Sequence, residues 1–269
     1  MNQNIPFPEK EHYKKEDVKR LQERLLEMAK ITTKILDDNN FSYILAFGSL
    51  LGAIRHEGFI PWDDDFDIFL FDEEYEEAVQ CLRENLPEDI IVHDKKTDSV
   101  YWPAWSRLRD LNSKTTATLF PDDNHYKYTG INLDLYKLKK MKRSEVPAWK
   151  KKGAIEFLVR KHEVGVMPDD VYNAKFSEWT RDYVELLNNT VATEEDDEVY
   201  SAYNGTFPMA EIDDIFPRRK YKFEDTEFWG PNNGDGFLKV TSGDYGDYMQ
   251  VPPYEKRRVH YDIVEFLEK

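Results

Sequence analysis

The sequence predicts an α/β (α+β) fold, in which helices flank a mixed sheet. Short apolar stretches with the two-residue alternation of β-strands lie between longer stretches with helical spacing, an order typical of a layered core. The chain has 269 residues, enough for one large domain or for one core with an appended region. We place the boundary after residue 140, with the core and its N-terminal helix at 1–140 and a helical and irregular region packed on it at 141–269.

The first half of the chain supplies the predicted core. Lys15 to Asp38 has apolar residues at helical spacing and charges elsewhere, which predicts an amphipathic helix. A strand from Phe41 to Phe47, a short helix from Leu50 to Arg55 and a strand after Pro61 follow. The remaining core elements are one helix and four strands: Glu73 to Leu86, Ile90 to His93, Trp105 to Arg109, Thr115 to Phe120 and the strand around Asp134.

The second half is predicted to be helical and then irregular. Two helices are expected, from Glu145 to Val164 and from Asp170 to Asn189. The segment from Phe207 onward is rich in Pro, Gly, Tyr and Phe and is predicted to end in a short helix. The single cysteine, Cys81, excludes an intramolecular disulfide and is expected to be a core residue.

Composition limits the partners. The chain has 53 acidic and 37 basic residues and a formal charge of −16, so nucleic acid is excluded as a partner for the surface as a whole. A nucleotide neutralised by a metal ion is still compatible with this charge. No apolar run approaches the roughly 20 residues of a membrane span, and the N-terminus lacks the apolar core of a signal peptide. We therefore expect a cytoplasmic protein with at most peripheral contact at the inner face of the membrane.

The segment from residue 47 to 70, FGSLLGAIRHEGFIPWDDDFDIFL, has the highest density of chemically informative residues. Read as a strand, it places apolar and acidic side chains on opposite faces: Phe66, Ile68 and Leu70 on one, Asp63, Asp65 and Asp67 on the other. Three aligned carboxylates repel one another unless a cation bridges them, and Mg²⁺ or Mn²⁺ prefers oxygen ligands, including substrate phosphates. The pattern predicts phosphoryl chemistry, whereas a solvated acidic loop would not explain the apolar alternation.

A further acidic position is Asp134, which lies between Leu133 and Leu135 in the apolar run YTGINLDLYKL. A buried aspartate needs a partner. Two interpretations are open at this stage: a metal ligand on a strand beside Asp65 and Asp67, or a polar residue on the solvated side of an edge strand.

The string GSLLGAIRHEGFIPWDDDFDI resembles the signature of the LicD family of phosphotransferases, which is related to the fukutin-related proteins. The segments IFPRRKYKFEDTEF, YGDYMQVPP and EKRRVH resemble the C-terminal blocks of that family in the same order, so the resemblance covers most of the chain. It implies a nucleotidyltransferase-like fold. By this resemblance Gly48 and Ser49 form a turn before the strand, Asp65 and Asp67 are the D-x-D pair, and Asp134 is the third carboxylate.

The resemblance also implies an activity. Such enzymes take a CDP-linked alcohol, CDP-choline in the best-known bacterial members, and transfer the phospho-alcohol to a hydroxyl of a surface glycan or of its lipid-linked precursor, releasing CMP. Transfer of ribitol phosphate, glycerol phosphate or phosphoethanolamine remains an alternative. So does a nucleotidyltransferase that uses an NTP and releases pyrophosphate, while a non-catalytic binding protein is the least supported alternative. Residues 141–269 are expected to complete the site.

The acidic residues and the turn have expected roles. Asp65, Asp67 and Asp134 would hold Mg²⁺ or Mn²⁺, and the backbone N–H groups of Gly48 and Ser49 would face a phosphate oxygen. The Ser49 hydroxyl would donate a further hydrogen bond or act as a helix N-cap. Asp63 matches the additional aspartate of the family and is a candidate base, metal ligand or partner of Arg55. Asp64 is left out of the metal site, because that position varies in the family pattern.

Basic and aromatic residues complete the predicted site. Five arginines and lysines are candidate phosphate ligands, and His56 is a candidate proton relay or phosphate ligand. The five are Arg55 next to His56, Arg107 and Arg109 on one strand, and Lys256 and Arg257 in the tail. Salt bridges, structural bonds or capping of the final helix are the alternatives for them. Aromatic faces recognise the quaternary ammonium of choline. Candidates near the core and in the tail are Tyr101, Trp102, Trp105, Tyr245, Tyr248 and Tyr254, which favour choline only weakly because abundant aromatics usually build the core.

Overall fold

A seven-stranded mixed sheet organises the chain, as seen in a computed structural model that describes residues 8, 13–117, 121–191, 193, 195–202, 209–241, 249–253 and 256–267. Its strands are β1 (Tyr43–Leu45), β2 (Phe66–Phe71), β3 (Ile90–His93), β4 (Ser106–Asp110), β6 (Asn132–Lys142), β7 (Glu198–Ala202) and β8 (Ala210–Glu211). Two further antiparallel pairs join β5 (Ser113–Ala117) to β11 (Tyr261–Phe266) and β9 (Arg219–Phe223) to β10 (Thr226–Gly230). The predicted α/β architecture is confirmed.

Seven helices flank this sheet in the described part of the chain. They are α1 (Lys15–Asp38), α2 (Phe47–His56), α3 (Tyr75–Asn85), α4 (Val146–Glu163), α5 (Asp169–Asn189), α6 (Ile212–Ile215) and α7 (Gly234–Thr241). Helix α1 has the predicted bounds, and its apolar face is buried because Val18, Leu21, Leu25 and Met28 recur at helical spacing. None of the described helices combines the length and the apolar character that a membrane span requires.

Strand β6 is the centre of the sheet. It runs parallel to β2 on one side, with Asp134 opposite Asp67, and antiparallel to β4 on the other side, with Asp134 opposite Arg107. All six residues of β2 are buried, as expected for an interior strand that is covered on both faces. Register partners point to the same face of a sheet, so this pairing places three charged side chains next to one another.

Several predicted elements differ from the observed ones. Helix α2 begins at Phe47 rather than at Leu50, and Ala46 occupies the N-cap position. The end of the chain was predicted to be helical, which is wrong: Tyr261–Phe266 is strand β11. Its backbone pairs with β5, 144 to 153 residues earlier in the chain, and the β-branched Ile263 and Val264 suit such pairing. Residues 118–120 of the predicted fifth strand lie outside the described residues.

Two further expectations concern Cys81 and the boundary after residue 140. Cys81 is half-buried rather than a core residue, because the buried face of α3 is formed by Tyr75, Ala78, Val79 and Leu82. Strand β6 crosses residue 140, and β7 and β8 belong to the same sheet as the strands before it. The division into 1–140 and 141–269 stays a prediction.

Gly130 allows the backbone to enter β6 at a crowded position. A Cβ at Gly130 would lie 1.8 Å from the carbonyl oxygen of Asp110. We expect Gly130→Ala to lower the free energy of unfolding by about 3 kcal/mol, because the backbone on both sides would have to shift. Gly165→Ala is the matched control: Gly165 has a φ of +78° but nothing within 4 Å of its Cβ position, so only a backbone cost of about 1 kcal/mol is expected. Urea denaturation measures both, and equal losses would contradict the packing argument.

Candidate active site

A cavity of about 460 Å³ opens at the first residues of β2 and β6, beside the N-terminus of α2. Its charged lining residues are Asp63, Asp65, Asp67, Asp123, Asp134, Arg107 and His260. Its other lining residues are mainly aromatic: Phe47, Trp102, Trp105, Tyr136, Phe157 and Tyr261, with Gly48, Ala117 and Asn132. All four predicted catalytic aspartates therefore face the same space.

A side chain of α2 holds the backbone of the D-x-D strand in place. The Asp67 N–H donates a hydrogen bond of 2.9 Å to Ser49 Oγ, which links the start of α2 to β2. Ser49 is neither the helix N-cap nor a residue that lines the cavity. Its hydroxyl instead fixes the position of Asp67. Asp67 is 6 % exposed, and its Oδ1 is buried with no hydrogen-bond partner among the described residues.

Three carboxylates of the acidic segment, those of Asp63, Asp65 and Asp67, have raised pKa values. Burial raises the pKa of Asp65 to about 6 despite the opposing effect of His260. Burial, reinforced by the negative charge of Asp65, raises the pKa of both Asp63 and Asp67 well above the ordinary range. The physical cause is the concentration of negative charge away from water, which a bound cation would relieve.

Asp134 is deeply buried, with 4 % of its surface exposed, so it is not on the solvated side of an edge strand. Its Oδ1 accepts hydrogen bonds from Trp105 Nε1 and Arg107 Nε, both at 2.7 Å, and its Oδ2 accepts one from Asn132 Nδ2 at 2.9 Å. A carboxylate oxygen has two lone pairs. Oδ1 is therefore fully used, whereas Oδ2 retains one lone pair for a ligand.

Arg107 links two of the acids. Its Nε bonds Asp134, and its Nη1 donates to Asp123 Oδ2 at 2.6 Å. Although burial alone lowers the pKa of Arg107, these two carboxylates raise it well above its usual value, so the guanidinium remains charged. Arg107 was predicted to bind the nucleotide diphosphate. The structure places it in the cavity, where its charge is shared with Asp134 and Asp123.

Arg109, the other strand arginine predicted to bind phosphate, lies behind the cavity. It is 1 % exposed, and its Nη1 donates to the carbonyl oxygen of Gly130 at 2.7 Å and to Asn132 Oδ1 at 3.0 Å. Tyr261 also donates its hydroxyl proton to Asn132 Oδ1. Because Asn132 in turn bonds Asp134, Arg109 acts on the site by orienting Asn132.

Asp64 anchors the C-terminal segment beneath the site. It is fully buried and accepts hydrogen bonds from the backbone N–H of His260 at 2.8 Å and of Tyr261 at 3.1 Å. Its Oδ1 also lies 2.7 Å from His260 Nδ1, and that nitrogen is 3.3 Å from Asp65 Oδ2. Burial alone lowers the pKa of His260, but Asp65 and Asp64 outweigh it and raise this pKa. Asp64 does not line the cavity, which agrees with its exclusion from the predicted metal site.

The N-terminus of α2 borders the cavity at Gly48. A Cβ at this position would lie 2.9 Å from Asp63 Oδ2, so the absence of a side chain lets this carboxylate approach the helix. Phe47 has a φ of +39°, a conformation rare for a residue with a side chain, at the point where the chain turns from β1 into α2. The first N–H groups of a helix are free to bind an anion, so a phosphate contact at Gly48 stays a prediction.

Four predicted phosphate ligands lie away from the described lining of the cavity. Arg55 Nε donates to His56 Nε2 at 2.8 Å, and its Nη1 donates to the carbonyl oxygen of Gln250 at 3.2 Å. Burial and the neighbouring Arg55 lower the pKa of His56 to about 4, so its ring is neutral near pH 7. Lys256 is exposed. Arg257 donates to the carbonyl oxygen of Pro252 and lies 4.8 Å from the ring of Trp62.

Several cavity residues were not among the sequence candidates. Asn132 and Tyr136 flank Asp134 at a spacing of two, so strand alternation could have identified both. His260 lies in the segment EKRRVH, which the sequence identified only as a C-terminal block of the family resemblance. Asp123, Phe157 and Tyr261 carry no local signal, because a turn, α4 and β11 bring them to the site from distant positions. The tail tyrosines Tyr245, Tyr248 and Tyr254 lie outside the described residues.

The donor set fits a divalent cation with substrate oxygens among its ligands. Among the described residues, no three acidic, histidine or cysteine side chains are already arranged to hold a metal ion. Mg²⁺ in phosphoryl-transfer sites is commonly bound by one or two carboxylates together with phosphates and waters. The unpartnered Oδ1 of Asp67, the adjacent Asp65 and the remaining lone pair of Asp134 Oδ2 provide such a partial set.

Comparisons with known proteins agree with the sequence resemblance. The family model "LicD/FKTN/FKRP, nucleotidyltransferase domain" matches residues 40–122. The chain is 26 % identical over 247 residues to the lipopolysaccharide cholinephosphotransferase LicD of Haemophilus influenzae, covering 82 % of this chain and 86 % of that protein. It is 29 % identical over 144 residues to the uncharacterised protein RP689 of Rickettsia prowazekii, a match that spans 46 % of this chain and about half, 48 %, of that protein.

These similarities coincide with the cavity. The matched domain contains the start of α2, Asp63, Asp65, Asp67 and the strand of Arg107, and the similarity to the Haemophilus protein extends over most of the chain. The prediction of a LicD-type phosphotransferase is thereby confirmed: the family-model match and the similarity to the Haemophilus protein both support a member of the LicD family.

Proposed function

We propose that this protein transfers phosphocholine from CDP-choline to a hydroxyl of a cell-surface glycan, or of its lipid-linked precursor, and releases CMP. The observation that carries the proposal is the in-register placement of Asp67 and Asp134 on adjacent strands, where both line a cavity together with three further aspartates. The printed activity of the Haemophilus relative, a lipopolysaccharide cholinephosphotransferase, supports this choice of group and of acceptor.

The charge of the cavity supports a dependence on metal ions. Five aspartates line it, against one arginine and one histidine among the described residues, and Arg107 is already paired with two of the aspartates. A nucleotide diphosphate would be repelled from such a site. A divalent cation, Mg²⁺ or Mn²⁺, bound by Asp65, Asp67 and Asp134 would neutralise the diphosphate and the charge that develops on it.

The residues of the chain have distinct roles in the proposed reaction. The acceptor oxygen attacks the phosphorus that carries the alcohol, the bond from this phosphorus to the CMP oxygen breaks, and the acceptor proton passes to a base. We assign the base to Asp63, because its carboxylate faces the cavity and because burial raises its pKa, which makes this carboxylate a stronger base. Arg107, Trp105 and Asn132 orient Asp134, and the first N–H groups of α2 face the substrate.

Identification of the released product, CMP or pyrophosphate, tests the proposal. Purified protein with Mg²⁺, CDP-choline and a lipid-linked or soluble glycan should release CMP in step with modification of the acceptor. Excess EDTA should reduce the rate to background, and added Mg²⁺ or Mn²⁺ should restore it. The same incubation with CTP is the control for a nucleotidyltransferase. Release of pyrophosphate from CTP, without CMP from any CDP-alcohol, would refute the proposed transfer.

The place of the reaction is part of the proposal. A CDP-linked donor is a cytoplasmic metabolite, and a lipid-linked glycan precursor presents its hydroxyl groups at a membrane surface. We therefore place the enzyme at the inner face of the membrane, in peripheral contact with it. Cell fractionation that finds the protein neither with the cytoplasm nor with the membrane fraction would contradict this placement.

A further inference from the structure

A continuous row of five aromatic rings lines the cavity beside the carboxylates. Successive ring centroids are 5.1 Å apart for Phe47 and Tyr136, 4.9 Å for Tyr136 and Trp105, 6.5 Å for Trp105 and Phe157, and 4.5 Å for Phe157 and Trp102. We call these five residues the aromatic row. Its members come from α2, β6, the segment before β4, and α4, so the row exists only in the folded chain.

The row lies at the edge of the hydrophobic core, against which Phe47 and Tyr136 pack. All five rings are only partly buried and contribute to the cavity surface, whereas Phe66 and Phe69 on the neighbouring strand are fully buried. An aromatic side chain left partly exposed in a concave site is available to a ligand. Tyr101, in contrast, is a core residue whose hydroxyl donates to the carbonyl oxygen of Trp105 and supports the row from behind.

The row already contacts cations of the protein itself. Lys161 Nζ lies 4.1 Å from the ring centroid of Trp102, and the guanidinium carbon of Arg107 lies 6.0 Å from that of Trp105. The faces of aromatic rings carry negative charge and attract cations. Lys161 Nζ also lies 5.6 Å from the ring centroid of Phe157, so it is closest to the Trp102 end of the row.

Hydrogen-bond acceptors along the row are few: the indole N–H groups of Trp102 and Trp105 only donate, and of the five side chains Tyr136 alone carries a polar acceptor atom. The indole N–H of Trp105 is used by Asp134, and Asp134 already accepts hydrogen bonds from three donors. A primary ammonium needs acceptors for its three N–H groups, and a polyol needs a partner for each hydroxyl. A quaternary ammonium has neither requirement. The chemistry of the row therefore fits a methylated cation better than it fits ethanolamine, glycerol or ribitol.

We propose that the aromatic row selects the alcohol of the donor and that Tyr136 and Phe157 are specificity-determining residues for a quaternary ammonium group. The inference rests on the proposed function, because it concerns the group that this reaction transfers. It adds the residues that distinguish choline from the other alcohols.

Equilibrium binding tests the proposal without a glycan acceptor. Calorimetry in Mg²⁺ measures the dissociation constants of CDP-choline, CDP-ethanolamine and CDP for the wild type, Phe157→Leu, Tyr136→Leu and the control Tyr136→Phe. The wild type should bind CDP-choline more tightly than CDP-ethanolamine by roughly 2- to 30-fold, the factor expected of one well-placed ring. Each leucine variant should lose a factor of similar size for CDP-choline while its affinity for CDP is unchanged. Tyr136→Phe keeps the ring and should bind like the wild type.

Three outcomes would overturn the inference. The first is equal affinity of the wild-type protein for CDP-choline and CDP-ethanolamine. This comparison uses only the wild type, so it would overturn the inference even if a leucine variant failed to fold. Equal losses for CDP and CDP-choline in the leucine variants would show a general effect on the site rather than selection. In both cases CMP release would leave the proposed transfer intact. Failure to bind any CDP-alcohol, together with no CMP release, would instead contradict the proposed function and the inference with it.

Discussion

Replacing Asp67 by asparagine should abolish turnover while the protein remains folded. The substitution removes the charge of a carboxylate whose Oδ1 has no hydrogen-bond partner in the described part of the chain, so affinity for the cation and stabilisation of the transition state should both fall. We expect kcat to decrease about a thousandfold, equivalent to roughly 4 kcal/mol in the barrier. Steady-state CMP release at saturating Mg²⁺ measures this effect.

The stability of the Asp67→Asn variant should change in the opposite direction. Because burial and Asp65 raise the pKa of Asp67, its ionised form costs stability at neutral pH, and an uncharged amide removes this cost. The metal-free variant should therefore melt at the same temperature as the metal-free wild type or higher. Asp72→Asn is a suitable control, since Asp72 follows β2 and pairs with Lys139 outside the cavity. Near-normal kcat of Asp67→Asn would remove this residue from the mechanism.

Replacing Asp64 by alanine should instead destabilise the fold. The fully buried carboxylate accepts backbone hydrogen bonds from His260 and Tyr261 and contacts the imidazole of His260, and all of these partners would lose their acceptor. We expect the free energy of unfolding to fall by about 3 kcal/mol, the scale for leaving a buried charged partner unpaired. Urea denaturation of the metal-free protein at neutral pH measures it.

A conservative variant separates this role from catalysis. Asp64→Asn keeps one acceptor oxygen and should lose less stability than Asp64→Ala. Because Asp64 does not line the cavity, the folded fraction of Asp64→Asn should release CMP far faster than Asp67→Asn. A change of less than about 0.5 kcal/mol in Asp64→Ala, the level of an ordinary surface substitution, would show that the segment from His260 onward is held by other contacts.

Local patterns in the sequence predicted most of the elements that position the site. The bounds of α1 follow from its helical spacing of apolar residues, and the alternation from Phe66 to Leu70 identified the buried strand that carries Asp67. The final strand was missed. Its pairing with β5 stabilises an extended conformation, and a contact with residues 113–117 is invisible in the segment 261–266 alone.

The aspartates at positions 63, 64, 65 and 67 show most clearly what could not be predicted from the sequence. Spacing alone predicted that Asp63, Asp65 and Asp67 share one side. All three line the cavity, although strand β2 begins only at Phe66. The apolar run around Asp134 left two interpretations open, and the family resemblance favoured its role as the third carboxylate. Only the tertiary structure decided that Asp64 holds the C-terminal segment, and that Asp134 is bonded by Arg107, Trp105 and Asn132.

The aromatic row and the partners of the arginines were likewise decided by the tertiary structure. Phe157 comes to the cavity on α4, and Tyr261 on β11, from positions with no local signal in the sequence. Arg107 and Arg109 alternate on one strand and looked equivalent, yet the cavity exposes the first and the core encloses the second. The physical reason is that periodicity records which face of an element is buried, whereas the partner of each polar group depends on strand register and on packing between residues far apart in the chain.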